Sequence, residues 1–138
     1  MLGASDSKQK FGGRIMSFLA QHGFAGDIYP INPNRSEVLG RKAYASIGAA
    51  PTPADVAILA VPLGALVPSV REAAQAGVGC CVIITTGFAE AGPEGIARQA
   101  ELVDISARTG TRIIGPNCMG LIVPHHHLAL CSSVVLDT

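Results

Sequence analysis

Gly3-Ala4-Ser5-Asp6-Ser7-Lys8-Gln9-Lys10-Phe11-Gly12-Gly13 is a glycine-bounded loop between a hydrophobic start and the first helical pattern of the chain. After Gly13, Ile15, Phe18, Leu19 and His22 recur at intervals of three and four. This predicts a helix from about Gly12 to His22, closed by Gly23 in a left-handed cap. Gly12 and Gly13 then sit at a helix N-terminus, where free N–H groups and the positive end of the helix dipole gather and small residues let an anion come close. Ser5 and Ser7 add hydroxyl donors, and Lys8 and Lys10 add charge. A strand-to-helix turn without a ligand also needs Gly and Ser, so a phosphate cradle and an ordinary turn both fit this stretch.

Upstream, Met1 to Ala4 is short for a strand, and the first strand reads as truncated. Downstream, Asp27-Ile28-Tyr29-Pro30-Ile31-Asn32 predicts a second strand, with Pro30 limiting its pairing. It runs into the polar turn Asn32-Pro33-Asn34-Arg35. In nicotinamide-binding folds an acidic residue at this place holds the ribose hydroxyls. Here the turn offers Arg35, a cation suited to a phosphorylated ribose such as that of coenzyme A or NADP, and equally at home as a solvated surface residue.

Ser36 to Pro53 reads as a polar connection in which Tyr44 is the one bulky residue expected to pack. Asp55-Val56-Ala57-Ile58-Leu59-Ala60-Val61 and Cys80-Cys81-Val82-Ile83-Ile84-Thr85 are continuous apolar runs, the pattern of buried parallel strands. Between them a helix is predicted from Val67 to Ala76 with Pro68 in its first turn, ended by Gly77. Pro93 opens a further helix with apolar positions Ile96, Ala100, Val103 and Ala107, closed by Gly110, and Thr111 to Ile114 is the last clear strand. From Leu121 the chain mixes apolar residues with His125, His126 and His127, and Val134 to Thr138 reads as cut before its next element. The alternation predicts an α/β fold, a Rossmann-like, doubly wound, mostly parallel sheet with helices on both faces. Ligands of such sheets bind beyond the carboxyl ends of the strands. The loops Ser5–Lys10, Asn32–Arg35, Thr85–Phe88 and Pro116–Met119, with Val61-Pro62, all fall on that rim.

Composition sets the outer limits. At 138 residues, 49% hydrophobic and 14% charged, the chain is one domain with a real core. Ten basic and ten acidic residues cancel, which argues neither for nucleic acid nor for a membrane surface, so any anion site is local. No apolar run approaches the ~20 residues that span a bilayer, and a cytoplasmic protein is expected. Cys80, Cys81, Cys118 and Cys131 lack metal-site spacing and read as free thiols, with Cys80 and Cys81 on opposite faces of their strand.

Gly3-Ala4-Ser5, Tyr29-Pro30-Ile31-Asn32-Pro33, Ala60-Val61-Pro62, Gly87-Phe88-Ala89-Glu90 and Gly115-Pro116-Asn117-Cys118-Met119-Gly120, in this order, resemble the CoA-binding domain of NDP-forming acyl-CoA synthetases. That family includes ADP-forming acetate-CoA ligase and, more distantly, the succinyl-CoA synthetase alpha subunit. The resemblance covers residues 1 to about 133. It implies CoA-phosphate contacts from the first loop, at Gly3, Ser5, Asp6, Ser7 and Lys8, although Asp6 is an odd companion for an anion. It implies a nucleotide-end contact from Arg35 beside Asn32 and Pro33. Val61, Pro62, Ile84, Thr85 and Thr86 would lie along the cofactor, and Asn117 and Cys118, after Pro116, near its thiol end. The implied organisation is a CoA-binding domain over 1–124 and a segment 125–138 leading to a following domain.

The resemblance makes the parent a ligase converting carboxylic acid, CoA and ATP to acyl-CoA, ADP and phosphate, or a protein acetyltransferase that keeps only the binding function. ATP, ADP and Mg2+ belong to the full-length parent alone. This stretch should bind CoA, catalyse nothing and hold no metal. A thiol beside a thioester invites covalent chemistry, but no base to activate Cys118 is evident, and it reads as a small residue in a tight turn. Adjacent histidines seldom share one metal geometry. The expected partners are CoA and the downstream ligase domains or subunit, without nucleic acid or membrane, and with self-association into a homo-oligomer left open. An NADP-dependent oxidoreductase domain, weakened by the missing G-x-G-x-x-G spacing, and a non-catalytic CoA or nucleotide sensor are the alternatives.

Overall fold

The computed structural model describes residues 1–51 and 53–133, so the expectation for Val134 to Thr138 lies outside the described residues. Three parallel strands carry the sheet: β3 (Val56–Leu59), β4 (Cys80–Ile83) and β5 (Arg112–Ile114), in the order β3-β4-β5. Val56 faces Cys80 and Leu59 faces Ile83, while Cys80 faces Arg112. Single parallel bridges extend the sheet past β3, from Leu59 to Leu2, from Leu2 to Ile31 and from Ile31 to Tyr44. Leu2 thus lies between Ile31 and β3, at the middle of a parallel array.

Side-chain alternation along these strands separates two cores, as continuous apolar strands buried on both faces require. Ala57, Leu59, Cys81 and Ile83 face one core together with Leu66, Val70 and Ala73 of α2 (Leu63–Gln75) and Leu102 and Ile105 of α3 (Pro93–Thr109). Ile58 and Val82 face the other, with Ile15, Met16 and Leu19 of α1 (Phe11–Gln21). The sheet is therefore covered by helices on both sides, as the strand and helix alternation predicts, and Cys80 and Cys81 pack against opposite cores.

Several local expectations are corrected. The second strand narrows from Asp27–Asn32 to one bridged residue, Ile31. Its N–H bonds Met1 O at 2.8 Å, and the proline before it has no N–H to donate. The connection after Ser36 is structured. Glu37–Val38 (β1) and Arg41–Lys42 (β2) pair antiparallel through Leu39 and Gly40, both at positive φ (49° and 73°). Tyr44 both bridges Ile31 and packs edge-on against Tyr29, with ring centroids 6.0 Å apart.

Helix α2 starts at Leu63, just after Pro62, so Pro68 lies inside it and not in its first turn. On α3 the stripe Ile96, Ala100, Val103 and Ala107 is exposed, and the helix packs through Gly95, Leu102 and Ile105 instead. Gly95 lies on that inward face: it sits against the backbone of Phe88, where a Cβ would meet Phe88 O, so this seating of the helix admits only glycine there. Beyond β5, Gly120–Val123 (β6) and Leu128–Cys131 (β7) form an antiparallel hairpin that packs against α1, with Leu130 in the core beneath it.

Candidate functional site

A cleft of about 890 Å³ opens across the carboxyl ends of the parallel array. Its floor comes from the residues that follow Leu2, Ile31, Tyr44, β3 and β4: Gly3 and Ala4, Asn32, Ala45 and Ser46, Ala60 and Val61, Ile84 and Thr85. One wall is the start of α1, with Lys10, Phe11 and Gly12; the other is α2, with Ala65, Ser69 and Glu72.

The α1 wall presents an uncapped helix start. Lys10 occupies the cap position with extended backbone and no side-chain cap bond, and the first turn carries no acidic residue. The N–H groups of a helix's first turn have no partner within the helix, so those of α1 remain available. Gly12 and Gly13 are buried, and the structure revises why they are glycine. A Cβ on Gly12 would meet the carbonyl oxygen of Gly3, and one on Gly13 the carbonyl oxygens of Ser7 and Ser5. The glycines let the loop backbone lie directly on the helix, which brings the loop and the helix N-terminus to the same point. Within the loop Ser7 N donates to Ser5 Oγ at 3.2 Å and Lys10 N to Ser7 O at 3.0 Å.

The turn after Ile31 is tied to this loop twice. Asn32 Nδ2 donates to Ala4 O at 2.9 Å, and Asn32 Oδ1 accepts from Asn34 N at 2.9 Å, which fixes the turn. Arg35 Nη1 donates to Asp6 Oδ2 at 2.7 Å, and Asp6 Oδ1 accepts from Leu39 N at 2.7 Å. On the far side Thr85 Oγ1 donates to Val61 O at 2.7 Å, joining the ends of β3 and β4.

Of the residues singled out in the sequence, Gly3, Ser5, Asn32, Pro33, Arg35, Val61, Pro62, Ile84, Thr85 and Thr86 line this cleft. Asp6, Ser7, Lys8, Asn117 and Cys118 stand outside its lining. Asn117 N donates to Thr85 O at 3.1 Å, so its turn abuts the cleft at the β4 end. The Cys118 thiol points inward, donating to Ile83 O at 3.2 Å, as befits a small residue in a tight turn. Burial pushes the Cys81 thiol up to about 12, which makes it inert at neutral pH. The rings of His125 and His126 lie 4.3 Å apart, and among the described residues no three His, Cys, Asp or Glu side chains are grouped to hold a metal. No described helix is long and apolar enough to cross a membrane.

Sequence reasoning missed Ser46, Ser69 and Glu72. Starting α2 at Leu63 puts Ala65, Ser69 and Glu72 at spacings of four and three on one face. That signal was present but fell partly outside a helix started at Val67. The Gly87-Phe88-Ala89-Glu90 motif is structural: Phe88 is fully buried, Glu90 Oε1 accepts from Gly87 N at 2.7 Å, and Arg98 Nη1 donates to Gly87 O at 2.7 Å.

Residues 1–124 match the model of the family described as CoA binding domain. The chain belongs to that family. This CoA binding domain is 46% identical over 120 residues to a trans-feruloyl-CoA synthase of an unknown prokaryotic organism, a match covering 87% of the chain and 17% of that protein. It is 40% identical over 128 residues to the ADP-forming acetate-CoA ligase II subunit alpha of Pyrococcus furiosus, covering 93% of the chain and 28% of the subunit. Among solved structures, the dinucleotide-forming acetyl-coenzyme A synthetase 1 of Candidatus Korarchaeum cryptofilum, in complex with phosphate and ADP, superimposes with a TM-score of 0.90. That alignment has 34% identity and covers 95% of the CoA binding domain and 28% of the synthetase chain. The chain thus spans between 17% and 28% of the length of these relatives.

Proposed function

We propose that the chain binds coenzyme A across the carboxyl ends of its sheet and serves as the CoA-positioning domain of an ADP-forming acyl-CoA synthetase. The observation that carries the reading is the coincidence, in one cleft, of an uncapped and carboxylate-free helix N-terminus with the guanidinium of Arg35. These are two separate anion-binding features, and CoA carries a pyrophosphate and a ribose phosphate. The residues fit the ligand. The α1 N-terminus with Ser5 and Lys10 would hold the pyrophosphate, Arg35 the ribose phosphate, and the Thr85–Thr86 end, beside Asn117 and Cys118, the thiol arm. Family membership favours CoA over NADP, the other ligand that Arg35 suits.

In the parent, acyl transfer to the thiol would use residues of other domains, and ATP, ADP and Mg2+ would act there. This domain would fix the cofactor by its phosphates and aim the thiol, which lowers the entropic part of the barrier without forming a bond. The division at residue 124, the ligase rather than an acetyltransferase as parent, and a cytoplasmic setting belong to the same proposal.

Calorimetric titration of the 138-residue chain with CoA, 3′-dephospho-CoA and NADP tests it. CoA should bind best, and Arg35→Ala should weaken CoA roughly 10- to 100-fold, as expected for a lost hydrogen bond to a charged group. Binding of NADP without binding of CoA would refute the reading.

A further inference from the structure

Resting on the CoA reading above, we infer that Asp6 is not a ligand contact but the residue that positions Arg35, presenting one edge of its guanidinium to the ribose phosphate. Each carboxylate oxygen of Asp6 holds one group. Oδ2 accepts from Arg35 Nη1 and Oδ1 from the backbone N–H of Leu39, both at 2.7 Å. Arg35 lines the cleft, while Asp6, bonded to it, lies outside the lining. The Nε and Nη2 groups of Arg35 carry no bond among the described residues, so the guanidinium is held at one nitrogen and open along another edge.

The stability of the ion pair itself does not account for this arrangement. The two side chains are 56% and 41% exposed, and an ion pair of that exposure contributes about 0–1 kcal/mol. Orientation does account for it. The backbone on either side of Arg35 is already fixed, by Asn32 bonding Ala4 O and Asn34 N on one side and by Leu39 bonding Asp6 on the other. Only the long side chain remains free, with about 2 kcal/mol of rotamer entropy to lose when it meets a ligand. A planar fork held at one corner loses most of that freedom in advance and directs its remaining donors, an effect that a lysine ammonium could not reproduce. A carboxylate in direct contact with the phosphate would repel it, which removes the oddity of an Asp in this loop once Asp6 is seen to face Arg35.

The readout that separates positioning from a merely structural role is the preference for CoA over 3′-dephospho-CoA, measured by calorimetry on the full 138-residue chain. Four forms are compared: wild type, Asp6→Asn, Arg35→Lys and the double variant. Asn keeps the size of Asp but can accept only at one oxygen, so it cannot hold Arg35 and Leu39 together. Asp6→Asn should lower the preference roughly tenfold, within the range of coupling between directly bonded groups. In the Arg35→Lys background the same change should alter it less than about twofold, because no fork is left to orient. Asp6→Glu, which keeps the charge, should recover part of the preference.

An unchanged preference in Asp6→Asn would overturn the inference. So would an increased one, which would make Asp6 a competitor of the phosphate. Loss of the cooperative thermal transition in Asp6→Asn would also overturn it, by making Asp6 a folding residue. A wild type that binds CoA with a preference insensitive to Asp6 refutes the positioning role alone, whereas a wild type that binds no CoA refutes the function it rests on.

Discussion

Replacing Gly13 by alanine should destabilise the protein, although alanine is the better helix former. Gly13 is the third residue of α1, and it has no positive φ that would itself strain an alanine. The new Cβ would meet the carbonyl oxygen of Ser7 at far less than contact distance and that of Ser5 at 2.9 Å, both backbone atoms that cannot rotate away. The loop must lift off the helix. Overpacking of this kind costs about 1–3 kcal/mol, and the gain in helix propensity returns about 1 kcal/mol, leaving a net loss of up to about 2 kcal/mol.

With an unfolding entropy of about 2.1 cal/mol/K per residue, each kcal/mol shifts the midpoint of this 138-residue chain by roughly 3–4 °C. The melting temperature should therefore fall, by up to about 7 °C. Gly64→Ala is the matched control. Gly64 lies in α2, no atom stands within 4 Å of its missing Cβ, and the same substitution there should raise the midpoint by up to about 3 °C. Differential scanning calorimetry of the two variants reads both signs. A Gly13→Ala protein stabilised as much as Gly64→Ala would refute the close seating of the loop on α1, and with it the proposed joint presentation of loop and helix N-terminus to a phosphate.

Two further outcomes follow from particular contacts. The N–H of Gly87 holds the Glu90 carboxyl below its ordinary range, so this interaction stabilises the fold above the unfolded-state pKa and is lost as the pH falls through the lower folded-state value. Glu90→Gln should thus be less stable than wild type at neutral pH, with the gap closing in the acid range; a pH-independent gap in urea unfolding would count against it. On α3, Leu102→Ala should cost about 2–5 kcal/mol and Val103→Ala within about 0.5 kcal/mol, because Leu102 is 2% exposed and Val103 63%. Equal losses in chemical denaturation would mean that the inward face has been misassigned.

The residue pattern carried the sheet far. The runs at Val56–Leu59 and Cys80–Ile83 could be placed as central strands because a strand covered on both faces has no polar side to interrupt it. It carried α3 less well. Ile96, Ala100, Val103 and Ala107 repeat at helical period just as a buried face does, and periodicity records spacing without saying which stripe turns inward. The face that turns inward carries Leu102, Ile105 and the close approach of Gly95 to Phe88, a tertiary contact invisible to a periodic reading. The hairpin at Glu37–Lys42 was hidden for a different reason. It is two residues wide on each side, too short for alternation to register, and is fixed by Leu39 and Gly40 at positive φ.

By itself the sequence determined the α/β alternation, the rim on which a ligand would sit and the small and prolyl residues of its turns, because these depend on local chemistry and on side-chain period. Tertiary structure alone decided which of those residues meet. It paired Asp6 with Arg35 and left it outside the cleft lining, brought Ser46, Ser69 and Glu72 to the cleft wall, and turned the Cys118 thiol toward Ile83 O. Such juxtapositions join positions far apart in the chain, 29 residues for Asp6 and Arg35 and 35 for Cys118 and Ile83, and they are set by how helices seat on a sheet through close backbone contacts. No local pattern encodes that seating.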